Sequence, residues 1–211
     1  MSKNISGLDP FYLIVPDATA VARFAHMGVR TIQLRAKGLS SDAARREIAA
    51  AMEAVMPHAD CQLIVNDYWR EALSVGCDYV HLGQEDLVDA DLATLKAADI
   101  RFGLSTHDAA ELAIALKAEP DYIALGPINA TTTKSTGRAA QGLDGLATWR
   151  AKIGAACPLV AIGGITLEQA PPVIAAGADS CSVVSDVLSA ADPEARARAW
   201  LVWAATVRIG A

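Results

Sequence analysis

The stretch QLIVNDYWREALSVGCDYVHLG, residues 62–83, reads as strand, helix, strand. Residues 62–66 and 79–83 are short, apolar and rich in residues that suit a pleated surface. The run between them is a helical stretch that Gly76 closes, since glycine readily takes the left-handed conformation at a helix end. Two strands joined through a helix run parallel, because a helical crossover returns the chain to the same end of the sheet.

The same unit repeats outward in both directions. Strand-like runs stand at 11–15, 31–35, 101–105, 122–126, 159–163 and 180–184, which with the first two makes eight. Ala-rich stretches such as 41–56 and 108–118 carry helical periodicity between them. Gly28 and Gly177 are further helix stops, Thr166 and Gln169 are spaced as a capping box, and Asp192 before Pro193 reads as an N-cap. Units of about 26 residues lie near the lower limit for a closed eight-stranded barrel. The expected fold is therefore an α/β, single-domain (β/α)8 TIM barrel spanning 1–211, with the barrel proper at about 11–208. A doubly wound open sheet is the competitor, but it often carries a GxGxxG turn, absent here.

Composition excludes several classes. With 53% hydrophobic and 20% charged residues the chain is too apolar to be disordered. A formal charge of −6 argues against the broad basic face that nucleic acid or a membrane surface would select. The first residues lack the apolar core and cleavage site of a leader, and no apolar run approaches the roughly 20 residues of a membrane span, so a cytoplasmic protein is expected. Cys61, Cys77, Cys157 and Cys181 are widely spaced, form no CxxC pair and read as buried thiols rather than metal ligands. The stripe of Trp200, Trp203 and Val207 reads as core packing.

In a barrel of this kind chemistry collects at the carboxyl ends of the strands. After the second strand Gln33, Arg35 and Lys37 alternate with Leu34 and Ala36, which puts the polar groups on one face. They form either a cationic wall for an anionic ligand or an internal salt bridge. Asp67 and Asp86 follow adjacent strands and can share a divalent cation such as Mg2+, although Asp86 alone also suits a helix cap. Ser105 shares parity with Gly103, whose missing side chain leaves space for a bound group, while His81 reads as a satisfied structural imidazole. Gly163 and Gly164, with Val184 and Ser185, stand where barrels often bind phosphate. The long interval 127–143 is polar and cationic, either functional or a connector.

Taken in order, QLRAK (33–37), VNDY (65–68), VHLGQED (80–86), GLSTH (103–107), ALGPI with TTTK (124–134), AIGGI (161–165) and GADSCSVVS (177–185) resemble the thiamine phosphate synthase family, over nearly the whole chain. The resemblance implies a transferase that joins hydroxymethylpyrimidine diphosphate to hydroxyethylthiazole phosphate, or its carboxylated form, yielding thiamine phosphate and diphosphate. It implies that Gln33, Leu34, Arg35, Ala36, Lys37, Asn66, Ser105 and Lys134 take the pyrimidine diphosphate. Asp67 and Asp86 would take Mg2+, and Thr131, Thr132, Thr133, Gly164, Val184 and Ser185 the thiazole phosphate. The implied chemistry is dissociative: diphosphate leaves with electrostatic help from Arg35, Lys37, Ser105 and Lys134, and the thiazole nitrogen attacks the resulting methylene cation. A homo-oligomer is a further implication. The chain departs from many relatives in carrying Ala36 in place of an acidic residue, and Asn129–Ala130 in place of an aromatic–proline pair. The segment between its first two strands is also short. Rival readings are a thiazole tautomerase of the same superfamily, a silent thiamine-phosphate-binding paralogue and a sugar-phosphate isomerase on the same barrel.

Overall fold

The computed structural model describes residues 8–130, 139–155 and 157–209. Its eight strands are β1 (Phe11–Val15), β2 (Thr31–Leu34), β3 (Gln62–Asn66), β4 (Tyr79–Leu82), β5 (Arg101–Thr106), β6 (Tyr122–Leu125), β7 (Leu159–Ile162) and β8 (Ser180–Val183). Each pairs in parallel with the next, and β8 pairs back onto β1 through Phe11↔Cys181 and Leu13↔Val183, which closes the barrel. Every strand run read from the sequence is present, with ends shifted by one residue at most.

Helices α1 (Ala18–His26), α2 (Ser41–Val55) and α3 (Trp69–Val75) follow the first three strands. The fourth is followed by two short ones, α4 (Gln84–Leu87) and α5 (Leu92–Ala97). Then come α6 (Ala109–Ala118), α7 (Gly142–Ile153) and α8 (Ala170–Ala175), the last entered through a 3-10 turn at Leu167–Gln169. After β8 stand α9 (Ser185–Leu188) and the long α10 (Pro193–Ile209). Asp192 caps α10 by accepting from Ala195 N at 2.9 Å, and Gly76 ends α3 at φ 78°. At the expected capping box, Gln169 Oε1 accepts from Thr166 N at 3.0 Å.

Strand parity divides the core in two. Tyr12 and Ile14 of β1 join Ile64, Tyr79, Tyr122, Ala124 and Val160 inside the barrel, whereas Phe11, Leu13 and Val15 pack outward against the helices. Gly103 belongs to this interior, and here the sequence reading is corrected. A Cβ at Gly103 would lie 2.0 Å from Tyr122 Cζ, so the space is filled by the tyrosine ring and not left for a ligand.

The amino-terminal end of the barrel is closed by buried Asp9. Its carboxylate caps Phe11 N at 3.0 Å and pairs with Arg208, while its backbone bonds Thr31 Oγ1 and Ser180 Oγ. Trp200 is fully buried, stacked on Phe11 at 5.2 Å, with half-buried Trp203 edge-on to it, so that stripe is core packing. Cys61, Cys77 and Cys181 are buried and Cys157 half-buried, none of them in a disulfide; burial pushes Cys77 up to about 11 and Cys181 up to about 12. No helix among the described residues is long and apolar enough to cross a membrane.

Candidate active site

A cavity of about 580 Å3 opens at the carboxyl ends of the strands. Gln33, Arg35 and Lys37 all line it, as their parity requires. Leu34 and Ala36 do not. Their side chains are 2% and 8% exposed in the outer core, so a substrate-binding role for these two is limited to their backbone.

The two readings of the cationic face prove compatible. Lys37 Nζ donates to Asp67 Oδ2 at 2.5 Å, which is an ion pair at the cavity mouth. Arg35 is half-buried and has no ion pair among the described residues, so its charge is available to a ligand.

Asp67 and Asp86 meet across the ends of β3 and β4. Asp67 is held in the left-handed region at φ 66°, with its N–H donating to His81 O at 3.0 Å. Asp86 accepts from Gly83 N at 2.8 Å, so it is a helix cap as well as a neighbour of Asp67. Its carboxyl is raised above the ordinary range, first by burial and then by the adjacent Asp67 carboxylate. Two close carboxylates with only one lysine between them suit a divalent cation. Among the described residues no group of three or more His, Cys, Asp or Glu is placed to hold a metal. Mg2+ fits such a donor set, because it commonly takes one or two carboxylates and completes its shell with water and phosphate oxygens.

A hydrogen-bonded chain crosses the cavity floor. Gln33 Nε2 donates to Tyr12 OH at 2.7 Å, Tyr12 OH meets Tyr122 OH at 2.9 Å, Tyr122 OH meets His81 Nδ1 at 2.6 Å, and His81 Nε2 meets Ser105 Oγ at 2.8 Å. Burial raises both tyrosines, which therefore keep their protons. With Gln33 Nε2 able only to donate to Tyr12 OH, the protons point one way along the chain. His81 then accepts at Nδ1 and donates at Nε2, and the Ser105 hydroxyl hydrogen is left for the cavity. His81 is thus the satisfied imidazole expected, stacked on Tyr122 at 5.5 Å.

Beside this space lies a second cavity of about 220 Å3, bounded by Gly164, Ile165, Val184, Ser185 and Leu188. Ile14, Arg35, Ile162, Gly163 and Ser182 line both. Gly164 adopts φ 65°, and a Cβ there would stand 2.5 Å from Ala130 O, so the site needs glycine for both conformation and space.

The sequence profile of the thiamine monophosphate synthase family matches residues 11–187. The chain belongs to this family. It is 54% identical over 194 residues to the thiamine-phosphate synthase of Rhizobium etli, covering 92% of this chain and 94% of that one. The thiamine-phosphate synthase of Neisseria meningitidis serogroup A is 48% identical over 190 residues, covering 90% and 92%. Among solved structures, thiamine phosphate pyrophosphorylase from Pyrococcus furiosus superposes with a TM-score of 0.79 at 26% identity, covering 93% and 96%.

Membership of the thiamine monophosphate synthase family sharpens what the geometry adds. The structure brings Gln33, Arg35, Lys37, Asn66, Asp67, Asp86 and Ser105 to one cavity and Gly164, Val184 and Ser185 to the next. Thr131, Thr132, Thr133 and Lys134 lie outside the described residues. Among the described residues on either side, Gln141 N donates to Pro127 O at 2.8 Å and Gly142 N to Ile128 O at 3.0 Å. Asn129 donates to Gly164 O at 3.1 Å and Gln169 Oε1 at 3.2 Å and so ties the β6 loop to the β7 loop.

Sequence reading missed Tyr12, Tyr122 and Ser182. The usable signal was parity: Tyr12 alternates with outward Phe11 and Leu13, and Ser182 with Cys181 and Val183, by the rule that found Arg35. Asn66 Nδ2 and Ser182 Oγ are buried and have no hydrogen-bond partner among the described residues. Both residues line the cavity, where a buried polar group is ordinarily satisfied by ligand or solvent. Ser182→Ala is expected to stabilise the ligand-free protein by about 1 kcal/mol, raising Tm by about 2–4 °C, because it removes an unsatisfied polar group. Thermal unfolding monitored by circular dichroism checks this, and a lowered Tm would show that the hydroxyl is satisfied.

Proposed function

We propose that the chain is a thiamine-phosphate synthase, joining hydroxymethylpyrimidine diphosphate to hydroxyethylthiazole phosphate, or its carboxylated form, with release of diphosphate. The observation that carries this reading is the pairing of two contiguous cavities within a chain of this family. One has cations and a carboxylate pair suited to a metal-bound diphosphate; the other is a smaller corner lined in part by Gly163, Gly164, Val184 and Ser185. A tautomerase acting on the thiazole alone would have no use for the first.

Arg35 and Lys37 neutralise charge as it builds on the leaving diphosphate, and Lys134, assigned by resemblance, adds a third cation. Mg2+ held by Asp67 and Asp86 would supply further neutralisation of the same group. Gln33, Asn66 and the Ser105 hydroxyl offer directed hydrogen bonds to the pyrimidine side, with Gln33 and Ser105 oriented by the chain across the cavity floor. Thr131, Thr132, Thr133, Gly164, Val184 and Ser185 take the thiazole phosphate, holding the thiazole nitrogen in line with the methylene carbon. No nucleophile from the protein is required.

The test is an assay of the purified chain with both substrates and Mg2+, following thiamine phosphate and released diphosphate together. Joint formation of both products, abolished by a chelator, is expected. Folded protein that binds both substrates yet forms neither product would overturn the reading in favour of a silent binder.

A further inference from the structure

We infer that Arg196, on α10 and outside both cavities, is a positioning residue that holds the two walls of the phosphate corner in register. The inference deepens the proposed function and rests on its assignment of that corner to the thiazole phosphate.

The two walls come from different loops. Gly164 and Glu168 follow β7, and Ser185 and Asp186 follow β8. The ladder between these strands extends as far as the pair Ile162↔Ser182. Beyond it, among the described residues, no backbone hydrogen bond joins one loop to the other. Arg196 makes the connection instead. Its Nη1 and Nη2 donate to the two oxygens of Glu168, each at 2.8 Å. Its Nε and Nη2 donate to the two oxygens of Asp186 at 2.9 and 2.8 Å. Trp200 Nε1 completes the site with a 2.7 Å bond to Asp186 Oδ2. A planar guanidinium forked onto two carboxylates fixes distance and angle in a way that a lysine does not.

Charge gives the clamp a second effect. Asp186 stands one residue from Ser185, beside the place where an anion is to bind, and an unpaired carboxylate there would repel it. Arg196 cancels that charge at contact distance. The same contact holds the Glu168 carboxyl down to about 2, so the clamp stays ionised throughout the neutral range. Asn129 ties the other side of the β7 loop to the β6 loop, so this loop is held from both flanks.

The experiment compares Arg196→Ala and Arg196→Lys with Arg150→Ala. Arg150 is an equally well-bonded arginine at the opposite end of the barrel, donating to Gly177 O, Gly154 O and Cys157 O and pairing with Asp179. Arg196→Ala should raise KM for hydroxyethylthiazole phosphate by about tenfold or more and leave KM for the pyrimidine diphosphate within about twofold, with Arg196→Lys between it and the wild type. Arg150→Ala should lower Tm and leave both KM values unchanged. Equal shifts in both KM values, or a thiazole-phosphate KM as unaffected by Arg196→Ala as by Arg150→Ala, would overturn the inference. Calorimetric binding of hydroxyethylthiazole phosphate provides a readout independent of turnover. If the wild type binds it but forms no product, tenfold weaker binding by Arg196→Ala still upholds the clamp while the synthase reading fails. Absence of binding by the wild type overturns both.

Discussion

Asp67→Asn is expected to lower turnover by about a hundredfold or more, the loss typical when one electrostatic partner of a developing charge is removed, near 3 kcal/mol. Asparagine is the informative replacement because Asp67 sits at φ 66°, a conformation that asparagine tolerates and alanine resists. The substitution keeps the backbone bond to His81 O and deletes only the charge that pairs with Lys37 and faces Asp86. The Mg2+ concentration needed for half-maximal rate should rise in parallel, and circular dichroism should be unchanged. A near-wild-type rate at low Mg2+ would remove Asp67 from the mechanism.

Gly103→Ala is expected to be the most destabilising single-methyl change in the barrel interior, by roughly 3 kcal/mol or more, at the upper end for overpacking. The new carbon would stand 2.0 Å from Tyr122 Cζ and 2.1 Å from Cε1. Tyr122 has nowhere to go. Its ring is 0% exposed, its hydroxyl bonds Tyr12 and His81, and Tyr79 packs edge-on at 5.9 Å. At this chain length the loss corresponds to a Tm lowered by about 10 °C, with activity falling as the chain to Ser105 is disturbed. Gly103→Ala combined with Tyr122→Ala should recover part of the stability lost in Gly103→Ala alone, since the clash disappears. An unchanged Tm in the single variant would mean that the interior repacks around the methyl group.

Much of the architecture was legible in the linear pattern because its signals are local. A strand that is covered on both faces must be apolar for four to six residues, and glycine or an acidic cap must punctuate the helices that follow. The same locality located the cationic face: Gln33, Arg35 and Lys37 share parity, so any fold that makes β2 a strand turns them together. Parity also implied that Leu34 and Ala36 turn the other way, although the motif that contains them names the whole segment.

Contacts between distant residues were not legible. Gly103 and Tyr122 lie 19 positions apart on neighbouring strands, and only the register Gly103↔Tyr122 reveals that one vacates what the other fills. The chain from Gln33 to Ser105 draws on β1, β2, β4, β5 and β6. No local pattern singles out Arg196, and only the closure of the barrel brings it between Glu168 and Asp186. Sequence alone determined the strands, the barrel and the faces on which its charges lie, because periodicity and capping act within a few residues, and the ordered motifs at the strand ends carried the resemblance to the family. Tertiary structure decided which buried groups satisfy one another and which, like Ser182 Oγ and Asn66 Nδ2, are left facing a cavity. Hydrogen-bond satisfaction depends on atoms meeting across the barrel, and no local pattern encodes that meeting.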